Sequence, residues 1–117
     1  MNTKDLTNKL SEINQNNPDS LLYEITTAIL ESNENPSELL LQLHGDLGLK
    51  YSLNNEFYLT HFHEITDIIA NNLPQAKKYI SIQNFPIDAS WFAYQFVLEL
   101  LLVNLEIISE NQCLFQT

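Results

Sequence analysis

The chain has 117 residues, with 15 carboxylates, five lysines and no arginine, so its formal net charge is −10. Such a surface repels polyanions, and arginine is the usual donor to phosphates and guanine edges, which argues against direct binding of DNA or RNA. Hydrophobic residues make up 44% of the chain, enough for a packed core, and two glycines are too few for a turn-rich β fold. We therefore expect a single helical domain over residues 1–117 whose partner is a basic protein surface.

The N-terminal residues and the longest apolar run give no sign of export or of a membrane span. The first residues lack the apolar stretch of a signal peptide. The run from Trp91 to Ile108 contains two carboxylates, which are costly at bilayer depth. The single cysteine, Cys113, cannot form an internal disulfide, which fits a reducing cytosol. We expect a cytoplasmic protein that does not bind a membrane.

Two helices are predicted in the first third of the chain. Apolar residues at helical spacing follow Thr3, a possible N-cap, and predict a marginal helix over residues 1–17. The order of Asn17-Pro18-Asp19 is that of an N-cap, a first-turn proline and an acidic first turn. It predicts a second helix over residues 18–32.

A third helix and an undecided stretch follow. Asn35-Pro36-Ser37-Glu38 combines a cap, a proline at the first helical position and a glutamate at the third, and Gly45 is placed to end this helix. Residues 46–53 contain Gly48, which allows a turn. The rest of that stretch suits either a short extended piece or another helical turn.

Residues 54–71 predict a fourth helix, because apolar side chains recur along one face. His61 and His63 lie two positions apart, so on a helix they point to nearly opposite sides and cannot share a metal ion. We expect a buried or half-buried His61, a solvated His63, and neither a metal nor a cofactor. Pro74 then begins a short fifth helix that carries two neighbouring lysines.

The last helix is apolar nearly all round and is predicted to run from Asp88, as its cap, to about Ser109. Since a helix of this kind is normally surrounded by others, we expect an all-α fold, a single-domain irregular bundle of five to six helices around this buried C-terminal helix. Residues 110–117 are expected to form a frayed tail. The expected core residues are Phe92, Phe96, Val97, Leu100 and Leu101. The expected outward stripe is Gln95, Glu99, Leu102 and Glu106.

No pattern in the chain predicts catalysis. Cys113 has no basic neighbour in sequence to favour its thiolate, and the two glycines are too few for a phosphate-binding loop. Neither a nucleophile-elbow motif nor a paired-carboxylate motif is present. We therefore expect a protein that is not an enzyme.

Acidic and aromatic residues near the predicted loops are the candidate partner-binding residues. Carboxylates steer basic partners, and tyrosine is common among protein–protein contacts. The candidates are Asp46, Tyr51, Glu56, Tyr58, Glu64, Asp67 and Asp88. Of these, Glu64 and Asp67 are expected on the outer side of the fourth helix.

Two stretches, together about a third of the chain, carry a further pattern. Residues 41–65 contain a glycine turn, a tyrosine-bearing segment, the aromatic pair Phe57-Tyr58, then Phe62 and Glu64-Ile65. Residues 82–95 contain an apolar turn followed by Trp-Phe-Ala-Tyr. The pattern resembles an uncharacterised family of small acidic helical proteins carried on phages, plasmids and other mobile elements. The resemblance implies a shared fold and a mobile-element setting.

These observations lead to one functional hypothesis and two alternatives. Small acidic proteins of mobile elements that lack an active site are often anti-defence factors. We therefore expect an inhibitor, of anti-CRISPR or antirestriction type, that covers the basic channel of a host nucleic-acid-binding defence complex. An immunity protein or antitoxin that neutralises a cognate toxin would use the same acidic complementarity. A structural protein that dimerises through an apolar helix face would need only exposed Leu or Ile residues.

Overall fold

The computed structural model describes residues 1–116, which fold into α-helices without any strand. The all-α prediction is confirmed, although the described residues form seven α-helices where five to six were predicted. The helices are α1 (Thr3–Asn16), α2 (Leu21–Leu30), α3 (Pro36–Leu43), α4 (Asn55–Thr60), α5 (Phe62–Asn71), α6 (Leu73–Tyr79) and α7 (Phe85–Asn104). Two 3₁₀ turns, Leu49–Ser52 and Glu110–Gln112, lie outside these helices.

The first helix lies within its predicted range, and both a cap and burial hold it in place. It has 14 residues, and its N-cap is Asn2, whose side chain accepts a hydrogen bond from the Asp5 backbone N–H at 2.8 Å. Leu6 and Leu10 are buried against the rest of the bundle. This burial stabilises the helix through tertiary packing, which a weak local pattern does not reveal.

The second helix begins later than predicted. Its N-cap is Ser20, whose hydroxyl accepts from the Tyr23 backbone N–H at 3.0 Å. Asp19 has a φ of 61°, in the left-handed region, so it lies in a turn and not in a first helical turn. The prediction that Asn17 caps this helix is therefore wrong.

The third helix and its stop follow the prediction. The Asn35 side chain accepts from the Glu38 backbone N–H at 3.2 Å, and Gly45 has a φ of 77°, a conformation that favours glycine. In the undecided stretch, Leu49–Ser52 forms a 3₁₀ turn, so the helical alternative is the one observed.

The predicted fourth helix is two helices. His61 has φ −111° and ψ 25°, which are not helical values, so α4 ends at Thr60 and α5 begins at Phe62. The His61 ring is buried and lies against Phe57, with ring centroids 4.7 Å apart. The interruption places this ring in the interior, and the additional helix accounts for part of the higher helix count.

Helix α7 lies at the centre of the described bundle. Helices α2, α4, α5 and α6 and the first 3₁₀ turn pack against it, and α1 and α3 pack against α2. It begins at Phe85, so Asp88 lies in its first turn and is not its cap. By length and composition alone α7 could cross a membrane, but 67% of its most apolar window is buried inside the bundle. That burial fits a core helix.

The burial of α7 corrects two predictions. Phe92 and Leu101 are buried as expected, but Phe96 and Val97 are only half-buried and Leu100 is 43% exposed. The predicted outward stripe is wrong at three of its four positions. Gln95, Glu99 and Leu102 are fully buried, and only Glu106 is exposed.

The segment after α7 is packed, so the prediction of a frayed tail is wrong for residues 110–116. Phe115 is 1% exposed and lies among the rings of Tyr79, Trp91 and Phe92, with centroid distances of 5.0 to 6.0 Å. The remaining tail position, 117, lies outside the described residues.

Candidate interaction surface

Three buried polar side chains on one side of α7 bind the loops around it. We call Asp88, Gln95 and Glu99 the anchor stripe. Seven and four positions separate them, so they share a helix face. Each is at most 3% exposed. Because an unpaired buried polar group costs free energy, each requires partners, and the chain supplies them from distant segments.

Glu99 fixes the C-terminal segment. Its carboxylate accepts from the backbone N–H groups of Leu114, Phe115 and Gln116 at 2.7, 2.8 and 3.0 Å. The Nε2 atom of His44 lies 2.6 Å from the same carboxylate. Four contacts satisfy both oxygens, so this group holds Phe115 in the core and ties the tail to the end of α3.

Gln95 fixes the turn that follows α3. Its amide oxygen accepts from the Gly45 backbone N–H and its amide nitrogen donates to the Leu43 carbonyl, both at 2.8 Å. One turn earlier on α7, the Trp91 indole N–H donates to the Asp46 carbonyl at 2.9 Å. Side chains of α7 therefore hold the backbone of residues 43–46 at three points.

Asp88 fixes the next part of the same loop. One carboxylate oxygen lies 2.8 Å from Lys50 Nζ, and the other accepts from the backbone N–H and hydroxyl of Ser81, both at 2.9 Å. Burial raises the pKa of this carboxyl, but the contacts with Lys50 and Ser81 outweigh it and leave the pKa below its usual value. Asp88 is 3% exposed, so its prediction as a partner-binding residue is wrong.

The anchored loop and the first turn of α4 present three of the predicted residues to solvent. We call Asp46, Tyr51 and Glu56 the loop surface. All three are exposed, and Tyr51 is 81% exposed although it lies in an ordered 3₁₀ turn. Asp46 accepts from the Gly48 backbone N–H at 2.8 Å, which orders the turn further. An aromatic side chain that is exposed on a fixed backbone suits a binding contact.

Tyr58 is half-buried and belongs to an aromatic cluster. Its ring meets Phe62 and Phe85 edge-on, with centroid distances of 5.6 and 5.7 Å. These contacts join α4, α5 and the start of α7. Tyr58 therefore contributes to packing and has only part of its ring available to a partner.

The two predicted acidic residues of α5 differ in position. Asp67 is exposed, as expected. Glu64 is half-buried, and its carboxylate accepts from the Leu21 backbone N–H at 2.8 Å. It thus binds a free N–H of the first turn of α2, where a negative charge is favourable. The expectation that Glu64 lies free on an outer face is wrong.

His61 and His63 differ in burial, and Cys113 lies beside the Glu99 carboxylate. His61 Nε2 lies 3.2 Å from the Glu24 carboxylate, whereas His63 is exposed. Within residues 1–116, no three His, Cys, Asp or Glu side chains are grouped to hold a metal ion. Burial and the neighbouring Glu99 carboxylate raise the pKa of the Cys113 thiol, which disfavours the nucleophilic thiolate.

The surface is negatively charged, and its carboxylates make almost no ion pairs with lysine. Eleven of the 15 carboxylates are exposed. In the described part of the chain, the pair between Lys50 and Asp88 is the only lysine–carboxylate ion pair, and it is internal. The exposed carboxylates therefore leave a negative field around the molecule.

Comparison of the chain with models of known protein families, with curated protein sequences and with solved structures finds no match.

Proposed function

We propose that this chain is a non-enzymatic inhibitor that binds a nucleic-acid-binding defence complex and covers its basic channel. The observation that carries the proposal is the loop surface. Tyr51 is 81% exposed in a loop that α7 holds at Gly45, Asp46 and Lys50. The exposed carboxylates of Asp46, in this loop, and of Glu56, in the first turn of α4, precede and follow it in the chain. This arrangement combines a rigid aromatic contact with charge of the sign that a nucleic-acid channel attracts.

Rigidity and charge have separate effects on binding. The anchor stripe orders the loop before it meets a partner, so little conformational entropy is lost on association. The exposed carboxylates accelerate encounter with a lysine- and arginine-rich surface, because opposite potentials steer diffusion. Occlusion requires only that the bound chain occupies space where nucleic acid would lie, so the mechanism needs no chemical step.

The buried titratable groups support the non-enzymatic part of the proposal. In both Glu99 and Asp88, the two carboxylate oxygens make structural contacts. The raised pKa of Cys113 keeps its thiol protonated at neutral pH. None of these groups has the poised, accessible geometry that general acid–base or nucleophilic catalysis uses.

The test is capture followed by an inhibition assay. Tagged protein is used to isolate partners from a lysate that contains candidate defence complexes, and the purified partner is assayed for nuclease activity with increasing amounts of the chain. We expect stoichiometric loss of nuclease activity. We also expect about tenfold weaker inhibition for Tyr51→Ala, since exposed tyrosines at interface centres contribute strongly to binding.

A charge-matched pair of variants provides the control. Glu56→Lys with Asp67→Lys, and Glu12→Lys with Glu34→Lys, change the net charge equally, but only the first pair contains a loop-surface residue. All four carboxylates are exposed. Equal loss of inhibition by both pairs would contradict a defined binding surface. Capture of a toxin in place of a defence complex would favour an immunity protein.

A further inference from the structure

The C-terminal half of α7 exposes an uncharged apolar face. Leu100 is 43% exposed, and the half-buried side chains of Phe96, Val97 and Val103 surround it. With 100° per residue, these four residues and Asn104 lie within a sector of about 120° centred near Leu100. We call these five residues the α7 stripe. It carries no charge, although the chain as a whole has a net charge of −10.

The same face of α7 is covered along its N-terminal half. Ala89 and Ala93 are fully buried and form one cluster with Ile65 of α5 and Leu21 of α2. The small alanines let these helices approach closely. Further along α7 the covering ends, and the larger Leu100 meets solvent. The α7 stripe is therefore the continuation of a packing face beyond the helices that cover its first half.

Two clefts flank the α7 stripe and carry opposite charges. A cleft of about 360 Å³ on the α1 side is lined by Lys9, and one of about 340 Å³ on the C-terminal side is lined by Glu110. Leu100 and Asn104 line both clefts, so they separate the two charges. Both charged side chains are exposed. The uncharged centre thus has a positive flank and a negative flank at the same level of the helix.

We propose that the α7 stripe is a self-association surface, on which a second copy of this chain packs with its α7 parallel. A two-fold axis parallel to the helices exchanges the two flanks, so Lys9 of each copy faces Glu110 of the other. A two-fold axis perpendicular to the helices would instead place Lys9 against Lys9 and Glu110 against Glu110. The parallel arrangement is therefore the one that brings opposite charges together on both sides of the α7 stripe.

Asn104 fits the same arrangement. In a parallel pair, residues near the axis face their own counterparts, so the two Asn104 amides can hydrogen-bond to each other. A single asparagine inside an otherwise apolar parallel helix pair is a known means of fixing register. The proposal does not depend on the inhibitory function, because the loop surface and the α7 stripe share no residue.

The first test is the oligomeric state of the full chain. Sedimentation equilibrium at about 0.15 M salt, where repulsion beyond roughly 8 Å is screened, should show a concentration-dependent dimer. Leu100→Glu should raise the dissociation constant by at least about 100-fold, because it would bury a charge on the axis. Ile82→Glu, at a side chain that is 95% exposed elsewhere, should leave the dimer unchanged. A monomeric wild type, or a Leu100→Glu variant that still dimerises, overturns the proposal.

The second test addresses the parallel arrangement of the two copies. It uses substitutions of exposed charged residues, which should not affect folding. Lys9→Glu and Glu110→Lys should each raise the dissociation constant about fivefold, since each creates like-charge contacts at two symmetric positions. The double exchange should restore it to within about twofold of wild type. If the single variants have no effect, or if the double exchange fails to restore the dimer, the parallel arrangement is wrong.

Discussion

At the scale of single residues, buried polar groups determine which loops are ordered. Glu99 interrupts an apolar helix, and the sequence-based interpretation placed it on an outer stripe because carboxylates are usually exposed. Its partners come from His44 and from the segment after residue 113. No local sequence pattern predicts contacts between residues so far apart in the chain. The sequence contained one indication of burial: Gln95 and Glu99 lie on one helix face, and no lysine or arginine is near them in the sequence.

Substitution of Glu99 tests this role. Glu99→Gln replaces one acceptor oxygen with an amide that faces N–H donors, so we expect the free energy of unfolding to fall by about 3–5 kcal/mol. Urea titration followed by circular dichroism measures this loss. The matched control is Glu34→Gln, at an exposed position, which should change stability by less than about 0.5 kcal/mol. A loss under about 1 kcal/mol for Glu99→Gln would mean that the tail is held by other contacts.

Asp88 gives a pH-dependent prediction. Its pKa is lowered in the folded state, so its contribution is complete above the unfolded pKa of about 3.9 and is lost as the pH falls through the folded value. Asp88→Asn should therefore cost about 1–3 kcal/mol at pH 7, and its deficit relative to wild type should shrink below about pH 4. Thermal unfolding across pH measures both. Asp67→Asn, at an exposed position, is the control, and a pH-independent deficit for Asp88→Asn would contradict the account.

At the scale of elements, local signals predicted starts and stops better than extents. The Asn35 cap and the Gly45 stop lie within a few residues of the groups they bind, so sequence reveals them. The break at His61 and the end of α7 depend on tertiary packing and could not be predicted in the same way. Helix α7 was predicted to continue to about Ser109, yet it ends at Asn104.

The end of α7 gives a prediction about backbone conformation. Glu106 has a φ of 59°, the Ile107 N–H donates to the Leu102 carbonyl at 2.9 Å, and the Glu106 N–H donates to the Val103 carbonyl at 3.0 Å. This Schellman geometry favours glycine at the left-handed position. Glu106→Gly should raise the free energy of unfolding by about 0.5–1 kcal/mol, whereas Glu106→Ala should not stabilise. Destabilisation by the glycine would contradict this.

At the scale of the whole molecule, composition was the most informative property. The absence of arginine and the net charge of −10 pointed to a basic protein partner, and the helical periodicity predicted the all-α fold. The candidate surface could be predicted only in part. Four of the predicted residues are exposed, namely Asp46, Tyr51, Glu56 and Asp67. The other three make structural contacts inside the fold, namely Asp88, Glu64 and part of the Tyr58 ring. Which carboxylates become internal partners depends on how distant segments meet.

The most direct test of the proposed function is the salt dependence of association with the captured partner. In surface plasmon resonance from about 0.05 to 0.5 M salt, the association rate should fall about tenfold or more while the dissociation rate changes little, because exposed charges mainly steer the encounter. The Glu56→Lys and Asp67→Lys pair should slow association at low salt more than the Glu12→Lys and Glu34→Lys pair. An association rate that is insensitive to salt and equal for both pairs would show that the acidic surface does not bind the partner.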